Sequence, residues 1–191
     1  MSSVRVFIAI TIDESIKSKV SELQNLLKKS SADVKWVKPQ NLHLTLHFLG
    51  NVEEEKLPRY YQALENSVSS ISPFLLRFEG LGVFPERGSP RVLWVGVKGG
   101  EKQYIRLHQE LSSSLGQALL LKEKEIKKDK ISPHLTLGRV RSKKGQDSLM
   151  KVFRENKNFY GGEMKIQELH FVKSSLTSTG PIYTTLKSFS F

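Results

Sequence analysis

The sequence predicts an α+β protein whose sheets are mostly antiparallel, with helices packed on one face of each sheet. Strand-like and helix-like patterns are mixed along the chain, and they alternate too irregularly for a doubly wound parallel sheet. The 191 residues are 38% apolar and include 10 Phe, which is enough for a substantial core. Because no linker or low-complexity segment divides the chain, we expect one domain over residues 1–191.

In the first half of the chain, apolar patterns predict three extended segments and two helices. The extended segments are 4–12, 34–38 and 42–49, and the helices are one that begins after the N-cap residue Asp13 and one over 53–68. The apolar stripe of the first helix consists of Ile16, Val20, Leu23, Leu26 and Leu27. Pro58 fits the second helix only near its first turn.

In the second half, strands predominate. The predicted strands are 74–84, 91–97, 134–140, 164–173 and 182–189, and the predicted helices are 104–120 and 146–155. Two glycine pairs separate these elements: Gly99-Gly100 breaks the chain before a helix, and Gly161-Gly162 is a predicted turn before a strand.

Charge and composition narrow the function classes. The formal charge is +11 with a pI near 9.8, which fits an anionic partner such as nucleic acid and a solvated, Lys-rich surface equally well. No apolar run is long enough to span a membrane, so no membrane partner is expected. The absence of cysteine excludes disulfides, thiol catalysis and thiolate metal sites, and fits a cytoplasmic protein.

One tetrapeptide, His-Leu-Thr-Leu, occurs at residues 43–46 and again at 134–137. With 5 His and 7 Thr in the chain, chance placement predicts only about 0.18 His-x-Thr triplets. In a strand, alternate residues face opposite sides, so each copy presents an imidazole and a hydroxyl about 7 Å apart on one face. The core face is then expected to hold Leu42, Leu44, Leu46 and Phe48 in the first copy, and Leu135 and Leu137 in the second.

Two such pairs across a cleft suit phosphodiester cleavage by an acid and a base. A neutral imidazole accepts a proton from water and a protonated one donates to a leaving oxygen, while hydroxyls bind phosphate oxygens. A zinc site that includes His43, His47 and His134 is disfavoured, because strand residues four apart lie about 13–14 Å from each other. We therefore expect neither metal nor cofactor. By symmetry, either His43 or His134 could be the acid.

The chain resembles the two-histidine phosphoesterase superfamily, and within it the RNA 2′,3′-cyclic phosphodiesterases first described as 2′-5′ RNA ligases. The similarity covers nearly the whole chain. Besides the two tetrapeptides it includes Arg5–Ile10, Trp36–Pro39, Asn41–Gly50, Pro90–Trp94, Pro133–Arg139 and Gly180–Tyr183. The resemblance implies a bilobal fold: two similar lobes, each with an antiparallel sheet covered by helices, are related by a pseudo-twofold axis, with the active-site cleft between them.

The resemblance also implies a role for each matching residue. His43 would donate a proton to the leaving 3′ oxygen, His134 would activate water, and Thr45 and Thr136 would hold the phosphate. Arg139 would add a charged contact, although its strand parity matches the buried face unless a bulge turns it into the cleft. The product would be an RNA end with a 2′-phosphate.

Three aromatic residues are further candidates for substrate binding. Phe7 and Phe48 could form a wall on which a base stacks, and Tyr183 could reach the cleft mouth; for each of them, packing in the core is the alternative. His108 and His170 receive no function. The basic segments 122–130 and 139–144 could carry the rest of an RNA substrate, or could be solvated loops.

The expected activity is metal-independent hydrolysis of RNA 2′,3′-cyclic phosphate ends to 2′-phosphomonoesters, with reversible 2′-5′ RNA ligation as a secondary reaction. The expected partners are such RNA ends, tRNA fragments among them. The protein is expected to be a monomer. Two alternatives stay open. One is a phosphodiesterase on small cyclic or 2′-5′ nucleotides, and the other is a non-catalytic module that binds RNA ends.

Overall fold

The computed structural model describes residues 2–121, 131–178 and 180–191. These ranges contain nine strands and four α-helices. The strands are β1 (Ser3–Thr11), β2 (Val34–Trp36), β3 (His43–Glu53), β4 (Phe74–Phe84), β5 (Val92–Lys98), β6 (His134–Val140), β7 (Tyr160–Ile166), β8 (Glu168–Thr177) and β9 (Gly180–Ser190). The helices are α1 (Glu14–Lys28), α2 (Leu57–Val68), α3 (Glu101–Gln117) and α4 (Gln146–Glu155).

The strands form two sheets, and every strand pairing among the described residues is antiparallel. One sheet has the order β3-β1-β8-β9, and the other has the order β2-β6-β5-β4-β7. Helices α2 and α3 pack together against the first sheet, whereas α1 and α4 pack together against the second. We call these units the first and second lobes. The predicted α+β, two-lobed architecture with antiparallel sheets is confirmed.

The two lobes are not consecutive halves of the chain, because the polypeptide crosses between them several times. Strand β1 belongs to the first sheet, yet helix α1 immediately after it covers the second sheet. One cluster of buried apolar side chains includes members of both sheets, such as Ile8 and Leu44 from the first and Leu93 and Leu135 from the second. None of the described helices is long and apolar enough to cross a membrane.

The predicted strand over residues 164–173 is wrong. Its residues belong to two strands in different sheets, since β7 ends at Ile166 and β8 begins at Glu168. Only Gln167 separates them, and a continuous apolar pattern gives no sign of such a short crossover. The predicted turn at Gly161-Gly162 is also wrong, because both glycines lie inside β7. Gly161 lets β7 approach β4 closely, since a Cβ there would lie 3.2 Å from the side chain of Phe78.

Three smaller predictions about the first half also need correction. Strand β3 does not end at Gly50 but continues to Glu53. Gly50 has a φ of +73°, which accommodates the register shift between β1 and β3 at this point. Helix α2 therefore begins at Leu57 instead of residue 53, after a short 3-10 turn, and Pro58 lies in its first turn, as predicted. Leu26 is 36% exposed and does not belong to the buried stripe of α1.

Candidate active site

The first His-Leu-Thr-Leu motif opens strand β3, which is interrupted by a bulge. Thr45 pairs with Ala9 and His47 pairs with Ile8, so Leu46 is an extra residue relative to β1. A bulge changes which face the following side chains occupy. His47 is consequently buried at 7% exposure, and Phe48 is 63% exposed and lines the cavity described below. The prediction that Phe48 lies on the core face is wrong for this reason.

The second motif opens strand β6 and contains a bulge at the same place. Thr136 pairs with Trp94 and Gly138 pairs with Leu93, so the residue between them is unpaired. The bulge turns Arg139 away from the core, and its side chain lines the cavity. Gly138 is needed at this point, because a Cβ there would lie 2.7 Å from Cγ1 of Val34.

The two motifs face a common cavity of about 640 Å³. Strands β3 and β6 belong to different sheets and lie next to each other. The four predicted motif residues His43, Thr45, His134 and Thr136 all line this cavity. The structure therefore brings together two imidazoles and two hydroxyls that the sequence separates by about ninety residues.

Both imidazoles are held by the same backbone contact. Nδ1 of His43 donates to the carbonyl oxygen of Asn41 at 2.6 Å, and Nδ1 of His134 donates to that of Ser132 at 2.7 Å. In each case the acceptor lies two residues before the histidine. Because Nδ1 carries the proton that makes this bond, Nε2 of the neutral ring is left with a lone pair. Each histidine can thus accept or donate a proton through Nε2.

The rings around His43 are those of Phe7 and Tyr183, with centroids 4.9 and 5.2 Å from the imidazole centroid. Burial lowers the pKa of His43, and the bond to the Asn41 carbonyl opposes part of that shift. Phe7 is only 3% exposed and is not among the cavity-lining residues, so it packs against His43 from behind. Tyr183 does line the cavity; burial raises its pKa, and the positive charges of Arg139 and Arg5 oppose that shift.

The surroundings of His134 are different in kind. Phe84 lies edge-on to its ring at 5.0 Å between centroids, and Trp94 lies 6.2 Å away. Trp94 lies on β5, which is paired with β6, and Phe84 lies on β4, the next strand of the second sheet. The two histidines therefore have matching hydrogen bonds and unlike aromatic walls.

The described lining of the cavity is electropositive. Lys35, Lys38, Arg139 and Arg141 line it, and no Asp or Glu does so within the described ranges. The second predicted basic segment thus contributes two arginines, whereas Lys143 and Lys144 do not line the cavity. The predicted basic segment 122–130 lies outside the described residues. Among the residues that the structure describes, no group of three or more His, Asp or Glu is placed to hold a metal ion.

Comparison with known proteins places this architecture in a family. Residues 10–94 match the family described as LigT-like phosphoesterases. A protein of Archaeoglobus fulgidus named RNA 2′,3′-cyclic phosphodiesterase is 40% identical over 185 residues, covering 97% of this chain and 99% of its own length. A protein of the same name from Methanothermobacter thermautotrophicus is 37% identical over 186 residues, covering 97% and 98%. The chain belongs to the LigT-like phosphoesterase family.

Solved structures agree with this assignment at the level of the fold. The crystal structure of the protein TT0787 from Thermus thermophilus has a TM-score of 0.77 and 30% identity, covering 97% of each chain. Escherichia coli LigT complexed with 3′-AMP has a TM-score of 0.76 at 22% identity, covering 100% of this chain and 99% of its own. The two-lobed arrangement is thus shared with other LigT-like proteins.

Sequence reasoning missed the helical wall of this LigT-like cavity. Tyr104 and His108, on α3, both line the cavity, and the Tyr104 hydroxyl donates to the carbonyl oxygen of Thr45 at 2.8 Å. The ring of His108 lies 4.1 Å from that of His47 between centroids, and the Ser112 hydroxyl lies 3.1 Å from Nε2 of His47. Tyr104, His108 and Ser112 are spaced four residues apart in the sequence. This spacing places them on one face of α3, and it was the available signal for the helical wall.

Proposed function

We propose that this LigT-like phosphoesterase is a hydrolase that opens RNA 2′,3′-cyclic phosphodiester ends and leaves 2′-phosphomonoesters. The observation that carries the proposal is a pair of histidines on strands of different sheets that line one cavity and are held by matching Nδ1–carbonyl bonds. Relatives at 37–40% identity bear the name RNA 2′,3′-cyclic phosphodiesterase, which supports the same reaction here. The electropositive lining suits an RNA substrate.

In the proposed mechanism, His134 is the base and His43 the acid. Nε2 of neutral His134 takes a proton from water as the water oxygen forms a bond to phosphorus. The bond from phosphorus to the 3′ oxygen breaks, and protonated His43 gives its Nε2 proton to that oxygen. The product is a 3′-hydroxyl and a 2′-phosphate, with the proton now on His134 and absent from His43. One proton exchange with solvent then restores the pair.

Three further side chains are proposed to bind the phosphate. The hydroxyls of Thr45 and Thr136 donate hydrogen bonds to its non-bridging oxygens from the two sides of the cavity. The guanidinium of Arg139 balances the negative charge that builds up on these oxygens during attack. None of these steps requires a metal ion. When the 5′-hydroxyl of another RNA replaces water as the nucleophile, the same chemistry forms a 2′-5′ linkage, which we propose as a secondary activity.

The finer expectations on partners and state are proposals as well. We propose that the chain works as a single bilobal domain over residues 1–191 and as a monomer, in the cytoplasm. Its substrates would be RNA ends with a 2′,3′-cyclic phosphate, including tRNA fragments. One buried apolar cluster with members from both sheets supports the single-domain proposal.

The test is to incubate the purified protein with a short RNA that ends in a 2′,3′-cyclic phosphate, in the presence of EDTA, and to identify the product by phosphorus NMR. A 2′-phosphate is the expected product. A 3′-phosphate would retain the two-histidine chemistry and overturn the choice of leaving oxygen. Activity that disappears in EDTA and returns with a divalent ion would refute the metal-independent mechanism. Binding without turnover would instead favour the non-catalytic module.

A further inference from the structure

The second-lobe wall of the cavity carries a row of cations beyond the catalytic motif. Arg139 lies on β6 after Thr136, and Arg141 comes directly after the end of this strand. Both arginines line the cavity. Lys35 on the neighbouring strand β2 is paired directly with Arg139 in the antiparallel register, and it lines the cavity too. All three side chains are exposed, so a ligand in the cavity can reach them.

This arrangement is unfavourable for the free protein. Directly opposed residues of an antiparallel pair have neighbouring side chains, and like charges there destabilise the sheet. Within the part of the chain that the structure describes, no carboxylate forms an ion pair with Lys35, Arg139 or Arg141. An anion bound between these cations would relieve the repulsion. One phosphate at the catalytic motif accounts for Arg139, but it leaves Lys35 and Arg141 without a ligand.

We propose that Lys35 and Arg141, with Arg139 shared, form a second anion subsite that binds the phosphodiester joining the terminal nucleotide to the one before it. Strand residues two apart are separated by about 7 Å, a step similar to that between successive phosphates of a nucleic-acid strand. With the cyclic phosphate between His43 and His134, the preceding phosphate lies over Arg141 and Lys35. The substrate class is therefore an RNA oligonucleotide end and not a free cyclic mononucleotide. This inference rests on the proposed function.

The test compares kcat/KM for uridine 2′,3′-cyclic phosphate and for the dinucleotide UpU with the same cyclic end. The proteins are the wild type, Lys35→Ala, Arg141→Ala and the control Lys165→Ala, whose lysine is exposed on β7 and does not line the cavity. The wild type should prefer the dinucleotide by at least about tenfold, the effect of one charge-assisted contact. Lys35→Ala and Arg141→Ala should each lose about tenfold on the dinucleotide and less than about threefold on the mononucleotide. Lys35→Arg should restore the preference.

Salt dependence gives an independent readout. Each lost contact between a side-chain cation and a phosphate makes the fall of log(kcat/KM) with log[salt] shallower, because fewer counterions are exchanged on binding. Each alanine variant should show this change with the dinucleotide, and Lys165→Ala should not.

Equal wild-type rates on both substrates, or variants that slow both equally, would overturn the subsite and leave the proposed function standing. Failure of the wild type to hydrolyse either substrate would refute the proposed function. The subsite would then be decided by whether Lys35→Ala and Arg141→Ala weaken binding of the 2′-phosphate-ended dinucleotide.

Discussion

The two copies of the His-Leu-Thr-Leu motif can be compared residue by residue, because they begin strands of opposite lobes. In both copies the histidine donates from Nδ1 to the carbonyl oxygen two residues earlier. In both, the strand bulges at the fourth motif residue, and the order of buried and exposed positions over seven residues is the same. The repeated sequence thus produces a repeated backbone, and the histidine and threonine side chains take equivalent positions along their strands.

The copies diverge at the two residues after the tetrapeptide. The first continues with His47 and Phe48, and the second continues with Gly138 and Arg139. At each bulge the earlier residue of the pair is buried, although His47 also lines the cavity, and the later one is exposed and lines it. The same backbone irregularity therefore presents an aromatic ring from one lobe and a guanidinium from the other. In our proposal, this difference gives a symmetric acid–base pair an asymmetric substrate site, with a face for a base and a charge for a phosphate.

Removing either histidine tests the symmetric part of the comparison, and it should have the largest effect. His43→Ala and His134→Ala should each lower kcat by about 10²–10⁴-fold, the usual contribution of a positioned acid or base. The double variant should be only slightly slower than either single one, because the two groups act in the same step. Single-turnover rates on a cyclic-phosphate RNA measure this, with Lys165→Ala as control. Full activity in either single variant would exclude the paired mechanism.

Substitution at the two equivalent cavity positions tests the asymmetric part. Arg139→Ala should lower kcat/KM by about 10–100-fold on every cyclic-phosphate substrate, because it removes a charged hydrogen bond of about 1.5–3 kcal/mol. Phe48→Ala should cost about 1–3 kcal/mol in binding when a base is present, and this loss should shrink on ribose 2′,3′-cyclic phosphate, which has none. Equal losses on substrates with and without a base would contradict stacking on Phe48. Phe48→Tyr, which keeps the ring, is the matched control.

The residues buried at the bulges should affect stability more than chemistry. Gly138→Ala places a Cβ 2.7 Å from Val34 and 3.1 Å from Trp36, and it should lower the free energy of unfolding by about 1–3 kcal/mol. His47→Ala breaks the buried contacts with His108 and Ser112 and should cost a similar amount. Urea denaturation measures both. If the Gly138→Ala protein is as stable as the wild type, the second bulge does not depend on the close approach of strand β2.

Periodicity predicted most of the fold and the placement of the two His–Thr pairs, because both depend on local pattern. The alternation around the repeated tetrapeptide correctly placed His43 and Thr45 on the face opposite Leu44, and it did the same in the second copy. The same alternation failed at Phe48, since a bulge depends on pairing with another strand and leaves no mark on period-two patterning. For Arg139 the bulge was expected only because the resemblance required that side chain in the cleft.

Tertiary neighbours were the other part that the sequence could not supply. Tyr104 and His108 reach the cavity because α3 packs on the first lobe, although the strands before it belong to the second. A chain that crosses between lobes offers no local signal of which sheet a helix will cover. The split of residues 164–173 into β7 and β8 failed for the same reason. In both cases the local pattern does not indicate which sheet a segment joins.

The smallest predicted effect concerns the different surroundings of the two histidines. Burial lowers the pKa of His43, so the unfolded chain binds a proton more readily there than the folded protein does. The contribution of neutral His43 to stability is therefore complete above the unfolded pKa of about 6.5, and it is lost as the pH falls through the lower folded value. The free energy of unfolding should decline as the pH falls below the unfolded value of about 6.5. The decline should be shallower in His43→Gln, which cannot titrate, and unchanged in Lys165→Ala. An identical pH slope in His43→Gln would show that enclosure by Phe7 and Tyr183 does not lower the pKa of His43.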